Sequence, residues 1–330
     1  MIRVARFAVL AAAWAGMAWA DDTPSPLYRT EPASAVNPHP GFDNGRSHLY
    51  LTTGEGLRVD YDVFALFSLP GQLMTVEASE RVTPRAEADI AFRTSGNDVE
   101  WQAPDAPGLY PIDLTTPNGT RMRINLFVMR PASEIEDEHL DDYRIGAYPE
   151  EPLRGLDVYR APEGFVEVTA DMRDVHISPH FTIGQFLCKQ ESEWPKFVRV
   201  REQLVIKLER VLEAVNNAGI ETDSFVVMSG YRTPHYNHAI GNVPHSRHVY
   251  GGAADIYIDV APRDGIMDDL NDDGRLDEGD AAWLYGFIDD LSNQPEWQNM
   301  QGGIGQYGST AAHGPFVHVD ERGYPARWGS

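Results

Sequence analysis

Ser246-Arg247-His248-Val249-Tyr250-Gly251-Gly252-Ala253-Ala254-Asp255 decides how this chain is read. It fits the spacing S-x-H-x-x-G-x-A-x-D at every fixed position. A neutral imidazole and a later carboxylate are two ligands suited to a divalent cation such as zinc. The glycines let the backbone turn tightly between them. Ala253 to Asp259 then reads as a strand. Two ligands do not make a site, so a third is expected elsewhere. Near the C-terminus, Phe316-Val317-His318-Val319-Asp320 puts a histidine inside an apolar, strand-like run. A polar side chain there needs a partner, and a metal is one. His235, His238 and His245 crowd the same region and read as rim or structural residues.

The ten-residue pattern with the later H-x-D resembles the zinc D-Ala-D-Ala carboxypeptidases and D,D-endopeptidases of peptidoglycan. That family shares its fold with lysostaphin-type peptidases and hedgehog proteins. Ser229-Gly230-Tyr231-Arg232-Thr233-Pro234 is similar to the family's S-G-Y-R segment. The resemblance covers about residues 165–330. It implies a hedgehog/D-Ala-D-Ala-peptidase-like domain with Zn²⁺ held by His248, Asp255 and His318. It also implies that Arg232 and Ser246 face the substrate, an arginine fork being suited to a carboxylate or carbonyl. One position departs from the pattern. Many members carry a catalytic Glu three residues before the last histidine ligand, and here that residue is Pro315. The general base is therefore expected at His313, with Asp320 orienting a ligand, or with these two roles reversed. The implied reaction is metal-assisted hydrolysis of amide bonds in peptidoglycan stem peptides. The alternative, motivated by Pro315, is a catalytically inactive zinc-binding adaptor of the cell wall.

Between the second and third expected ligands, residues 269–280 match an EF-hand loop. Oxygen ligands fall at Asp269, Asn271, Asp273 and Asp277, a backbone carbonyl at Arg275, and glycine at position six is Gly274. The last position is Asp280 rather than Glu. A single Ca²⁺ site is expected, followed by an amphipathic helix carrying Trp283, Leu284, Phe287, Ile288 and Leu291.

Composition narrows the partners. The formal net charge of −23 argues against nucleic acid, whose phosphates need Lys and Arg, and favours divalent cations. Cys188 is the only cysteine, so no internal disulfide and no cysteine metal site can form. Arg3 and Arg6, the apolar run Phe7 to Gly16 and the small-x-small site Ala18-Trp19-Ala20 read as a secretory signal over 1–20. That apolar run is too short to span a bilayer, and no later stretch is long enough either. A periplasmic or secreted protein is expected.

The remaining chain divides by pattern into an α+β organisation. Residues 21–45, rich in Pro, Ser, Asn and Asp, read as a flexible leader. Residues 46–130 read as an immunoglobulin-like β-sandwich. Leu57, Val59, Tyr61 and Val63 alternate with polar residues, and a hairpin is expected around Pro117-Asn118-Gly119. Its default role is a spacer or a module for an envelope partner. Residues 131–164 read as an acidic linker. Residues 165–330 hold the zinc domain, with a helix expected from about Pro195 and carrying Val200, Leu204, Leu208, Val211, Leu212 and Val215 on one face.

Overall fold

Leu49, Leu51, Val59 and Tyr61 point inward along two paired strands, Arg46–Thr53 and Arg58–Tyr61. With Leu73–Ala78, Asp98–Gln102 and Phe92–Ser95 they build a five-stranded antiparallel sheet. The computed structural model that shows this describes residues 41–260 and 262–329. The expected signal segment and most of the expected leader lie outside the described residues.

A second sheet of four strands runs Val63–Ser68, Arg121–Val128, Gly108–Thr115, Thr83–Ala86. Its centre is the hairpin, in which Ile112 pairs with Ile124 and Leu114 with Met122. The alternation from Leu57 to Val63 is not one strand. It breaks at Asp62, whose N–H still reaches the Gly45 carbonyl beside the first strand while its own carbonyl accepts the Arg123 N–H of the second sheet. The chain crosses there to the second sheet, where Val63–Ser68 lies parallel to Arg121–Val128.

The helix expected from Pro195 starts later. Lys196–Val198 is a strand, with Val198 opposite Val166 of Gly164–Val168. Phe197 and Val198 are both buried, and strand pairing wins where periodicity alone does not discriminate. Helix α1 spans Glu202–Asn217. Its stripe of Leu204, Leu208, Val211, Leu212 and Val215 is fully buried, each side chain contributing roughly 1.5–3 kcal/mol against exposure. In residues 131–164, Leu140, Tyr143 and Ile145 are buried while Glu134, Glu136, Asp137, Asp141 and Asp142 are exposed.

The third large sheet positions the site. Its order is Val226–Ser229, Ala253–Tyr257, Phe316–Asp320, Gly303–Tyr307, Ala326–Trp328. All neighbours are antiparallel except the last pair. Ile256, Val317, Val319 and Ile304 are buried in the core. A short helix α2, Pro234–Ala239, follows the first strand, and helix α3, Glu278–Ser292, packs against the third and fourth. Sheets dominate and helices are few, an α+β arrangement. Among the described residues no helix is long and apolar enough to cross a membrane.

Candidate metal centre

The register of two strands makes the centre. Asp255 stands opposite His318, and Ser229 opposite Asp255. Period two puts His318 and Asp320 on one face and the buried Val317 and Val319 on the other. His248 arrives from a 3₁₀ turn, Arg247–Tyr250, which Gly251 closes at φ 69°. A Cβ at Gly251 would lie 2.4 Å from the Arg199 carbonyl oxygen, so the turn needs a glycine.

Three ligand atoms converge. His248 Nε2 is 3.1 Å from His318 Nδ1, and Asp255 Oδ1 is 3.1 Å from the first and 2.9 Å from the second. Among the described residues this is the only such group of three His, Cys, Asp or Glu side chains. All three are almost wholly buried.

The hydrogen bonds behind the ligands fix their tautomers. His248 Nδ1 lies 2.7 Å from the Gly230 carbonyl, so it carries the proton and Nε2 is left with a lone pair. His318 Nε2 lies 3.2 Å from Asp320 Oδ2, so it carries the proton and Nδ1 is left bare. Two bare nitrogens and a carboxylate oxygen therefore face one another with no donor between them. A cation resolves that arrangement. Ligand bonds of about 2.0–2.1 Å in a tetrahedron set donor atoms roughly 3.3 Å apart, close to the spacings found. The donor set of two imidazoles and one carboxylate suits zinc.

The electrostatics agree. Burial alone would raise the Asp255 carboxyl, but His248 and His318 hold it well below the usual carboxylate range. Burial lowers His248. Burial would lower His318 too, but Asp255 and Asp320 on either side raise it instead. The same two carboxylates favour a cation at its Nδ1.

Arg232, which the motif reading gave to substrate, is bound to the cluster itself. The guanidinium of Arg232 donates to Asp255 Oδ2 and, through Nε, to Ser229 Oγ at 2.8 Å. Gly230 supplies the carbonyl that orients His248, and a Cβ there would press on the Phe186 backbone at 2.6 Å. Asp320 is fully buried behind His318. It accepts from the Gly303 N–H at 2.7 Å and from the Arg322 guanidinium. The buried Lys207 ammonium, pushed down to about 8 by desolvation, donates to the Asp320 carbonyl. Asp320 thus holds the His318 ring in place and has no free edge toward the cleft.

The cluster opens into a cleft of about 610 Å³. Ser246, Arg232 and His245 line it, as do Tyr159 and Leu153 from the stretch read as a linker. Tyr307, Phe316 and Trp328 form an aromatic wall, with the Trp328 ring 5.1 Å from that of His318. Sequence reasoning missed Tyr159, Arg322 and Trp328. The only available signal was the glycine pair Gly303 and Gly305, over which Trp328 lies. Apart from Asp255, no carboxylate among the described residues lines the cleft. His313 does not line it either. It borders an adjoining hollow shared with Ser229 and Arg232, and its Nδ1 is 2.8 Å from the Gly314 carbonyl. His235 and His238 are not in the cleft. Cys188 is buried and free, with its thiol pushed up by burial.

The 269–280 loop has the turn of its motif. Asp269 accepts the N–H groups of Asp273 and Gly274 at 3.1 and 2.7 Å, and Asp277 caps α3. Arg275 donates its N–H to Asp273 at 2.9 Å, and Asn271 and Asp273 are exposed at the loop tip. Asp280 is fully buried. Its oxygens accept the N–H groups of Leu270 and Asp277, so it is committed to the backbone.

The Peptidase M15 family model matches residues 179–272. The matched stretch contains Ser229 to Arg232, His248 and Asp255, and ends before His318. It supports a metallopeptidase of that zinc-dependent family. No curated protein matches the chain.

Proposed function

We propose that this protein is an exported zinc peptidase that hydrolyses peptide bonds in the stem peptides of bacterial peptidoglycan, as a D,D-carboxypeptidase or D,D-endopeptidase. The observation that carries the peptidase reading is the convergence of two bare imidazole nitrogens and a carboxylate oxygen at the head of an open cleft. The family match supports the reaction class. The cell-wall substrate rests on the motif resemblance, and export on the signal-like first twenty residues.

His248, Asp255 and His318 would hold the zinc, which when bound would supply Lewis-acid polarisation of a carbonyl and activation of water. The chain's own residues do the rest. Asp320 and the Gly230 carbonyl hold the two imidazoles in the tautomers that leave a lone pair inward. Arg232 fixes Asp255 and presents its remaining N–H groups to the adjoining hollow. Proton transfer falls to an imidazole. His245 lines the cleft itself and His313 the hollow joined to it, and each has a ring nitrogen with no bonded partner among the described residues. The variants His245→Gln and His313→Gln separate them. Loss of the true base lowers kcat by about 10²–10⁴-fold.

The test is digestion of purified peptidoglycan. Release of muropeptides that stops on His248→Ala and with chelator supports the enzyme. One equivalent of bound zinc with no cleavage of any stem peptide refutes it and favours the adaptor reading, which the absence of a second carboxylate from the cleft lining motivates. The proposal extends to Ca²⁺ in the 269–280 loop, with Asp269, Asn271, Asp273, Asp277 and the Arg275 carbonyl as its ligands. It is supported by the loop's motif register and by the start of α3 at its tenth position.

A further inference from the structure

Tyr307 and Trp328 meet in the wall of the metal cleft. The indole Nε1–H of Trp328 donates to the Tyr307 hydroxyl oxygen at 2.8 Å. Among the described residues nothing accepts the phenol's own proton. One face of the Tyr307 ring is stacked on Phe316, with centroids 4.6 Å apart and planes 8° from parallel. The residue is nonetheless 38% exposed, so the free hydroxyl proton is open to a ligand.

Strand register brings this phenol to the ligands. Tyr307 pairs with Phe316, and Gly305 pairs with His318. Period two therefore places Tyr307 on the same sheet face as the His318 imidazole, one step along the strand. The indole that holds the phenol lies over Gly305, with its ring 5.1 Å from that of His318.

We infer that Tyr307 is a further catalytic residue, whose phenol donates a hydrogen bond to the oxyanion formed on the scissile carbonyl. The inference rests on the peptidase reading and adds a transition-state donor to it.

Three other donors of the cleft are committed. Arg232 spends Nε on Ser229 and an amino group on Asp255. Arg322 is turned onto the buried Asp320 carboxylate. The Tyr159 hydroxyl faces that of Tyr324 at 3.3 Å. Tyr307 differs because its oxygen accepts and its proton is spare. A hydroxyl whose oxygen accepts an N–H is polarised and donates more strongly. The stack and the indole fix the ring beforehand, so little reorganisation is needed when charge develops.

In the step itself, the oxygen of water bonds to the carbonyl carbon and the π pair moves onto the carbonyl oxygen. One water proton passes to the base. On collapse the C–N bond breaks and the amine nitrogen takes that proton. The phenol keeps its own proton throughout and only shares it with the oxyanion.

The experiment compares the full zinc-loaded chain with Tyr307→Phe, which removes one oxygen and keeps the stack on Phe316. The substrates are soluble cross-linked muropeptides, which carry both terminal and bridging D,D bonds. The expected result is kcat lowered about 10²-fold, with KM and bound zinc unchanged. A second arm measures by calorimetry the binding of a D-Ala-D-Ala analogue with a phosphinate in place of the scissile amide. Its charged oxygens stand in for the oxyanion, and Tyr307→Phe should bind it at least tenfold more weakly. An unchanged kcat, a raised KM with kcat intact, or equal phosphinate affinity overturns the inference and leaves the peptidase reading standing. A wild-type chain that holds zinc but neither cleaves a muropeptide nor binds the phosphinate sinks the peptidase reading, and the inference with it.

Discussion

Asp255 and His318 face each other across neighbouring antiparallel strands, 63 positions apart in the chain, with Asp255 Oδ1 2.9 Å from His318 Nδ1. Asp320, two residues on, holds the far side of the same imidazole. His318→Ala removes one of three ligands, and its expected result is loss of bound zinc with the fold retained. Asp320→Asn keeps the shape and weakens the hold on the ring, so zinc affinity falls about 10–100-fold. Competition against a chromophoric chelator measures both. Unchanged affinity in Asp320→Asn rules out the orienting role.

Trp328 lies across Gly305 and forms the cleft wall beside His318. A Cβ at Gly305 would meet the indole Nε1 at 2.3 Å, and that nitrogen donates to the Tyr307 hydroxyl at 2.8 Å. Gly305→Ala should destabilise by about 1–3 kcal/mol through overpacking and displace the ring from the cleft. At Gly314 a Cβ meets nothing within 4 Å, so Gly314→Ala is the control. Urea unfolding compares the two. Similar midpoints would show that the ring yields without cost.

His180 ties the start of the described chain to α1. Nδ1 contacts the buried Glu209 carboxylate at 2.7 Å and Nε2 contacts the Asp43 carbonyl at 2.9 Å. Burial would lower this imidazole, but Glu209 and the Asp43 carbonyl more than offset it and its pKa is raised from 6.5. A raised folded value means the stabilisation is complete below the unfolded value, about 6.5, and is lost as pH climbs through the folded one. The stability difference between the protein and His180→Gln should therefore be flat in mild acid and shrink toward alkaline pH. A difference independent of pH would show that His180 is not charged in the fold.

Calcium should raise the melting temperature of the zinc-loaded protein, and the rise should vanish in Asp269→Ala. The mutation also frees the Asp273 and Gly274 N–H groups that Asp269 accepts. Asp273→Asn, which keeps most of the loop's bonds, is therefore the second variant and should weaken the response. A melting temperature indifferent to Ca²⁺ would make the loop a capping device for α3 alone.

Much of the centre was legible from residue types. His248, Asp255 and His318 stand out because an imidazole and a carboxylate at fixed spacing, and a histidine in an apolar run, need a common explanation. The buried stripe of α1 was equally clear. Its beginning was not, because Lys196 to Val198 satisfies helix and strand patterns alike and only pairing with Gly164–Val168 decided it. The break at Asp62 was invisible for the same reason, since alternation continues through a residue whose N–H serves one sheet and whose carbonyl serves the other.

By itself the sequence determined the ligand types, their local turns and which strand faces are apolar. These depend on neighbours a few residues apart. Tertiary structure decided what no short window contains: the register that sets Asp255 against His318, the turn of Arg232 toward the ligand carboxylate, and the arrival of Tyr159 and Trp328 at the cleft. Those positions come from strand pairing and close packing between distant segments, whose partners are chosen by the whole core.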